Sequence, residues 1–267
     1  MPKLQDHGVV LRVRPYREAD SLVRIFCLRE GLVDAVARGA RRPKSRLLAA
    51  VQPLAYAYFH LYRGRSGLDT VELAELESGH PRLAHDLERM AWGYALAGMV
   101  EDLFSLHDPA PDAFAVLVGA LRALDAGGEA AAVGLHAGFR LLAAAGFGPD
   151  LHRCGQCQGP LAPPAGFDRW EGVFLCARCH QGLWDRQDPV SPGLLATLSR
   201  WEALGPERMG SVGAEGRVRR EALAVLRQSL LVHSGRLPRA FGFLDQVVGA
   251  GERPRSGHHT RRDESGA

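Results

Sequence analysis

Four of the five cysteines in this 267-residue chain fall into two close pairs, Cys154-Gly-Gln-Cys157 and Cys176-Ala-Arg-Cys179, with eighteen residues between them. Each C-x2-C segment can aim two sulfurs at one point. Two such segments complete a tetrahedron of thiolates, the closed coordination of a structural zinc ion at about 2.3 Å. Other chemistries fit less well. Two disulfides would need an oxidising compartment, and Met1 to Val10 lacks the basic segment and apolar run of a secretory signal. A redox C-x-x-C usually occurs singly beside a βαβ pattern. A zinc deaminase would carry H-x-E upstream of P-C-x-x-C; no H-x-E occurs, and no proline precedes either pair. Catalytic zinc keeps a position for water, and four cysteines leave none. Cys154, Cys157, Cys176 and Cys179 are therefore expected to hold a structural Zn2+. Cys27, in an apolar strand-like run, reads as a buried thiol. His152 and His180 flank the pairs and read as surface residues or as orienters of a thiolate.

A second constellation is electrostatic. Arg38-Gly39-Ala40-Arg41-Arg42-Pro43-Lys44-Ser45-Arg46 carries five positive charges and no acid. Gly39 and Pro43 oppose a regular helix. A cationic loop of this kind suits phosphate, because each neutralised phosphate releases counterions; a merely solvated charged loop has the same composition. Downstream, Tyr56, Tyr58, His60 and Tyr62 alternate with Ala55, Ala57, Phe59 and Leu61. Such a row of rings either stacks bases or packs against a neighbouring domain with its hydroxyls wet. No P-loop, H-E-x-x-H or G-x-S-x-G motif is present. Glu101-Asp102 is an acid pair with no further carboxylate placed beside it in the sequence. The chain is not expected to be an enzyme.

The elements that must position these residues change character along the chain. Residues 1–80 read as β. Val9, Leu11 and Val13 alternate with Val10, Arg12 and Arg14, a half-buried strand with a wet face. Leu22–Leu28 and Leu32–Ala37 form a hairpin through Glu30-Gly31. Leu54–Tyr62 and Leu68–Leu76 follow, joined by a turn at Gly64-Arg65-Ser66-Gly67. Five short strands, with the basic stretch between the third and fourth, predict an OB-fold; an SH3-like barrel has the same strand count. After Pro81 the period becomes helical: Leu83, Leu87, Met90, Tyr94, Ala97 and Val100, then Phe114–Leu124 and Val133–Ala145. Ser191-Pro192 reads as an N-cap with proline at the first helical position, opening a helix to about Ala203. Further helices are expected over Glu215–His233 and Ala240–Val248. The fold class is thus α+β: an OB barrel over 1–80, then a helical domain over 81–248 with an inserted zinc module at 150–185. A polar, basic tail over 249–267 reads as disordered.

Composition places the chain among globular proteins, with 46% hydrophobic and 24% charged residues. No run of 18 apolar residues suggests a membrane span, and a cytoplasmic, nucleoid-associated location is expected. The net charge is only +3, but residues 1–80 hold thirteen Lys/Arg against nine Asp/Glu. Lys3 and Lys44 are the only lysines; arginine suits bidentate phosphate contacts, although a codon bias gives the same result.

Barrel, helical domain and four-cysteine module, in that order, resemble the RecO family of bacterial DNA repair proteins over nearly the whole length. The closest local match is Glu30-Gly31-Leu32-Val33 leading into Ala37-Arg38-Gly39-Ala40-Arg41-Arg42-Pro43-Lys44-Ser45, similar to the family's G-A-R-R-x-K-S stretch after the third strand. The resemblance implies a non-catalytic protein that binds single- and double-stranded DNA and anneals complementary strands. It implies that, with RecR, the protein helps load RecA onto strands coated by single-strand-binding protein. It also implies DNA-backbone contacts from Arg38, Arg41, Arg42, Lys44 and Arg46, and secondarily from Arg12 and Arg14. A zinc-ribbon adaptor that acts by protein contact alone is the alternative; a nuclease is a third possibility that the lack of clustered carboxylates disfavours.

Overall fold

The computed structural model describes residues 3–64, 67–180, 187–211, 213–214 and 216–251. Five strands form a closed barrel: β1 (Lys3–Tyr16), β2 (Asp20–Cys27), β3 (Gly31–Ala37), β4 (Tyr56–Tyr62) and β5 (Asp69–Ser78). Their order is β1-β2-β3-β5-β4, with β4 returning to β1 and β3 running parallel to β5. This closure is the OB arrangement, not the SH3-like one. It depends on the length of β1, which serves both neighbours. Lys3–Val9 pair with β4 and Gly8–Tyr16 with β2, around a bulge between Val10 and Arg12. Gly8 sits at the crossing, where a Cβ would lie 2.5 Å from Ile25 and 3.1 Å from Phe59, so only glycine lets the strand coil over the interior.

The bulge corrects the alternation expected for β1. One extra residue flips the face of everything beyond it. Val10 and Val13 therefore face the barrel core with Val23, Ile25, Val33, Phe59 and Leu61. Val9 and Leu11 face outward and join the core of the helical domain, with Phe26, Leu32, Leu54 and Tyr56. The segment between β3 and β4 is also more than a cationic loop. Leu47, Ala50 and Val51 are buried in the barrel core, on helix-like turns such as Val51 N–H to Leu47 O at 3.1 Å. They plug one end of the barrel.

The helical domain is built on α1 (Leu87–Leu103), capped by Asp86, whose carboxylate accepts from Glu88 N (3.0 Å) and Arg89 N (3.1 Å). The stripe expected on this helix is part of a wider buried surface, with Ala97 and Val100 buried and Met90 and Tyr94 half-buried against the core. Leu83 lies in a preceding 3-10 turn, Leu87 is exposed, and the buried residues are Ala91, Trp92, Gly93, Ala95, Leu96, Ala97, Met99 and Val100. A helix enclosed on most sides has no amphipathic period. Around it pack α2 (Pro111–Ala126) and α3 (Ala130–Ala144). Gly134 of α3 meets the Trp92 ring so closely that a Cβ would overlap it.

Next comes a three-stranded sheet, order β7-β6-β8, formed by β6 (Ala165–Asp168), β7 (Val173–Cys176) and β8 (Gln187–Val190), with the short helix α4 (Ala177–His180) after β7. Three further helices follow: α5 (Pro192–Glu202), α6 (Gly216–Ser234) and α7 (Ala240–Gly251). Ser191 accepts from Leu194 N at 3.1 Å and Pro192 opens α5, as its sequence predicts. Helix α7 runs three residues past Val248, into what composition assigns to the tail. The rest of that tail, 252–267, lies outside the described residues.

Candidate metal centre and nucleic-acid interface

The four cysteines converge. Their sulfurs all lie within 4.8 Å of one another, and Cys157 Sγ is 3.8 Å from Cys176 Sγ. A tetrahedron with bonds of about 2.3 Å has edges of about 3.8 Å; the Cys157–Cys176 edge matches this, and the others, all within 4.8 Å, are close enough for a four-coordinate ion to draw the sulfurs together. The first knuckle is tied by Cys154 N–H to Gly159 O (2.8 Å) and Gln158 N–H to Cys154 O (2.9 Å). Gly155 N–H donates to Phe174 O at 2.8 Å, joining this knuckle to β7. The second pair sits at the end of β7 and on α4. Behind the sulfurs, Phe167 and Phe174 meet edge to face at 5.2 Å and enter the main core.

The surroundings favour thiolate at Cys157 and Cys154 and oppose it at Cys179. The N–H of Gly159 and then the Arg178 guanidinium hold Cys157 down to about 6. Burial works against ionising Cys154, but the N–H groups of Cys157, Cys176 and Gln156 outweigh it and lower its pKa. Burial and then the neighbouring thiols push Cys179 up to about 12. A cation among the sulfurs would reverse that. Neither flanking histidine belongs to the cluster of candidate ligands. His152 Nε2 lies 3.0 Å from Glu202 Oε2 at the surface, and His180 packs against Gly166, where a Cβ would strike its ring. Cys27 is buried in the barrel, and burial raises its pKa well above that of a free thiol.

The basic segment occupies one end of the barrel. Arg38, Arg41, Arg42, Lys44 and Arg46 are all exposed, and the ion pairs of the described residues lie elsewhere. Backbone hydrogen bonds hold the loop. Gly39 N–H donates to Asp20 Oδ1 (2.8 Å) and Arg41 N–H to Ala19 O (3.0 Å). Arg42 N–H donates to Gly39 O (3.1 Å) and Ser45 N–H to Arg42 O (2.9 Å). The loop is therefore pinned to the β1–β2 turn, to which the Arg41 guanidinium also donates at Glu18 O (3.3 Å), while Arg38, Arg42, Lys44 and Arg46 are exposed. Sequence reasoning does not single out Asp20; an acid before a strand gives no local sign that it will hold a loop nineteen residues on.

Arg12 and Arg14 part company. Arg14 is exposed, while Arg12 Nε pairs with Glu101 Oε1 of α1 at 3.2 Å, between barrel and helices. The acid pair is thus engaged in structure, since Asp102 pairs with Arg236. The aromatic row on β4 also divides. Tyr56 is buried against Phe114 (6.3 Å between ring centroids) beneath the Arg122 guanidinium (5.5 Å). Tyr58, His60 and Tyr62 remain half-exposed, with Lys3 over the Tyr62 ring at 5.1 Å. On the adjacent strand Glu72, Glu75 and Glu77 are exposed. Their charge disfavours a phosphate backbone there, so the cationic end and the aromatic strip are separate surfaces.

Together these features define an OB-barrel protein whose helical domain carries a four-cysteine cluster able to hold a metal ion. The family model described as "Recombination protein O N terminal" matches residues 1–80, and "Recombination protein O C terminal" matches 84–240. Proteins named DNA repair protein RecO are similar over most of the chain. That of Pelotomaculum thermopropionicum is 33% identical, covering 90% of this chain and 92% of the relative. That of Anaeromyxobacter sp. strain K is 35% identical (92% and 98%), and that of Rubrobacter xylanophilus is 34% identical (95% and 100%). The chain belongs to the RecO family of DNA repair proteins. Among the described residues, no helix is long and apolar enough to cross a membrane.

Proposed function

We propose that this chain binds single- and double-stranded DNA through Arg38, Arg41, Arg42, Lys44 and Arg46 and anneals complementary strands. With RecR it would help load RecA onto strands coated by single-strand-binding protein. The observation that carries the reading is the basic loop: five exposed cations with no ion-pair partner among the described residues, held by main-chain hydrogen bonds at one end of the barrel. The arginines would neutralise the repulsion between two backbones while leaving base edges free to pair, an electrostatic role with no bond-breaking step. The metal would be zinc, and its role to hold the β6–β7 ribbon to the knuckle before it.

Replacing Arg41 and Arg42 by alanine should weaken binding to all sequences alike. It should make the salt slope on duplex DNA shallower by about 1.8, or 0.9 for each phosphate no longer neutralised. A titration between 50 and 200 mM salt reads this, and an unchanged slope would sink the assignment. No gel shift by the intact protein at low salt, with RecR binding retained, would instead favour an adaptor that acts through protein contact. Cleavage of DNA on adding magnesium or manganese would show an enzyme.

A further inference from the structure

A cavity of about 700 Å3 opens between the barrel and the helical domain. One wall is β1, with Arg12 and Arg14; the other is the α6–α7 connection, with Arg236 and Arg239. Arg12 and Arg236 are neutralised by Glu101 and Asp102. Arg14 and Arg239 are exposed and make no ion pair among the described residues, so the rim keeps two free positive charges. Tyr94 of α1 and Phe243 of α7 line the cleft and are half-buried. The walls are closely seated, since a Cβ on Gly98 would come within 2.8 Å of Pro238.

The end of β1 and the β1–β2 turn connect the cleft to the basic loop. Arg14 lies opposite Leu22, and Tyr16 opposite Asp20. Asp20 and Ala19 in turn hold Gly39 and Arg41 of the loop. Exposed Arg17 stands in the turn between them, its guanidinium 5.3 Å from the centre of the Tyr16 ring. Arg14 and Arg17 thus lie between the loop and the rim, with one exposed acid, Glu18, in the same turn.

We infer that this cleft is a second nucleic-acid subsite, which takes a single strand leaving the basic loop. Arg14 and Arg239 would contact successive phosphates, and Tyr94 or Phe243 would receive a base. Cations for phosphate and rings for bases are what unpaired nucleotides require. The volume is that of a pocket for a drug-sized molecule, enough for about one or two nucleotides and too small for a duplex. The inference rests on the DNA-binding reading above and adds a path that only an unpaired strand can follow.

The test uses the full chain with an oligothymidylate and with a hairpin duplex, titrated over salt. Arg239→Ala should make the single-strand slope shallower by about 0.7, the value for one phosphate, and leave the duplex slope unchanged. In the unaltered protein, a strand carrying 5-iodouracil should photocrosslink to Tyr94 or Phe243, located by peptide mass spectrometry. An unchanged single-strand slope, an equal loss on the duplex, or crosslinks confined to the basic loop would each overturn the subsite. If these appear while Arg41→Ala/Arg42→Ala still weakens binding, only the cleft falls. If the unaltered protein binds neither DNA at low salt, the proposed function falls with it.

Discussion

At the scale of single residues, the sulfur cluster and one buried imidazole carry the sharpest consequences. Removing one thiolate opens a closed site and leaves the β6–β7 ribbon held by its strand pairings, the Gly155–Phe174 hydrogen bond and the two phenylalanines. Cys176→Ser should therefore lower bound metal, read by a chromogenic chelator after denaturation. It should also lower the melting temperature, because binding of a metal by ligands that only the folded chain brings together would add to folding stability. A variant that retains full metal and the same melting curve would argue against the site. His136 lies fully buried in α3, its ring stacked on Trp201 at 5.7 Å. Burial lowers its pKa to about 4, below that of an exposed imidazole at about 6.5. The folded state thus binds fewer protons than the unfolded state between these values. The stability that neutral His136 permits is complete above pH 6.5 and is lost as pH falls towards 4. His136→Phe keeps a ring against Trp201 and should flatten the fall in stability over this window. Urea midpoints of the two proteins at pH 7, 5.5 and 4.5 give the comparison.

At the scale of elements, close approach of backbones governs the helical domain. Helix α3 crosses α1 where Gly134 faces Trp92, and there is no room for a Cβ. Gly134→Ala would force the helices apart or move the indole, and overpacking of this kind costs about 1–3 kcal/mol. That exceeds the gain of less than about 1 kcal/mol that alanine brings to a helix interior. Chemical denaturation should show a net loss of stability, and a variant as stable as the parent would mean that α1 and α3 can re-seat. Gly31 presents a similar constraint for a different reason. It adopts φ +67°, and a Cβ would strike the backbone of Asp108 between α1 and α2, so this hairpin turn is also a contact between barrel and helices. Asp6, buried in β1, accepts from Arg29 N (2.7 Å) and Glu30 N (3.2 Å) and shapes the same turn.

At the scale of the whole molecule, barrel and helices share a core. Val9, Leu11, Phe26, Leu32, Leu54 and Tyr56 pack with Trp92, Met99, Phe114 and Leu117, and the Arg12–Glu101 pair crosses the same seam. Charge is segregated over this frame, with the cationic loop at one end of the barrel and glutamates of β5 on another face. If annealing is electrostatic, its rate on complementary oligonucleotides should fall steeply between 50 and 200 mM salt. Arg41→Ala with Arg42→Ala should slow it at every salt while leaving the melting temperature within about 2 °C of the parent, since exposed substitutions cost little. Annealing that is insensitive to both salt and these substitutions would remove the basic loop from the mechanism.

Patterns that are local in sequence could be read from the sequence alone. The C-x2-C pairs, the acid-free run Arg38–Arg46, the five-strand count and the Ser191-Pro192 cap each depend on neighbours a few residues apart. The family resemblance rests on the same local signals. What spacing could not show depended on which distant surfaces meet. The bulge in β1 reversed the face of Val13, and the barrel plug at Leu47–Val51 was hidden inside a charged stretch. Enclosure of α1 erased its amphipathic period, and the seam buried Tyr56 while leaving Tyr58 and Tyr62 half-exposed. Only the tertiary structure paired Glu101 with Arg12 and Asp102 with Arg236. It also brought Arg14 and Arg239, 225 positions apart in the chain, to one cleft. Ion pairing, burial and cavities depend on distance in space, and only the folded chain sets those distances.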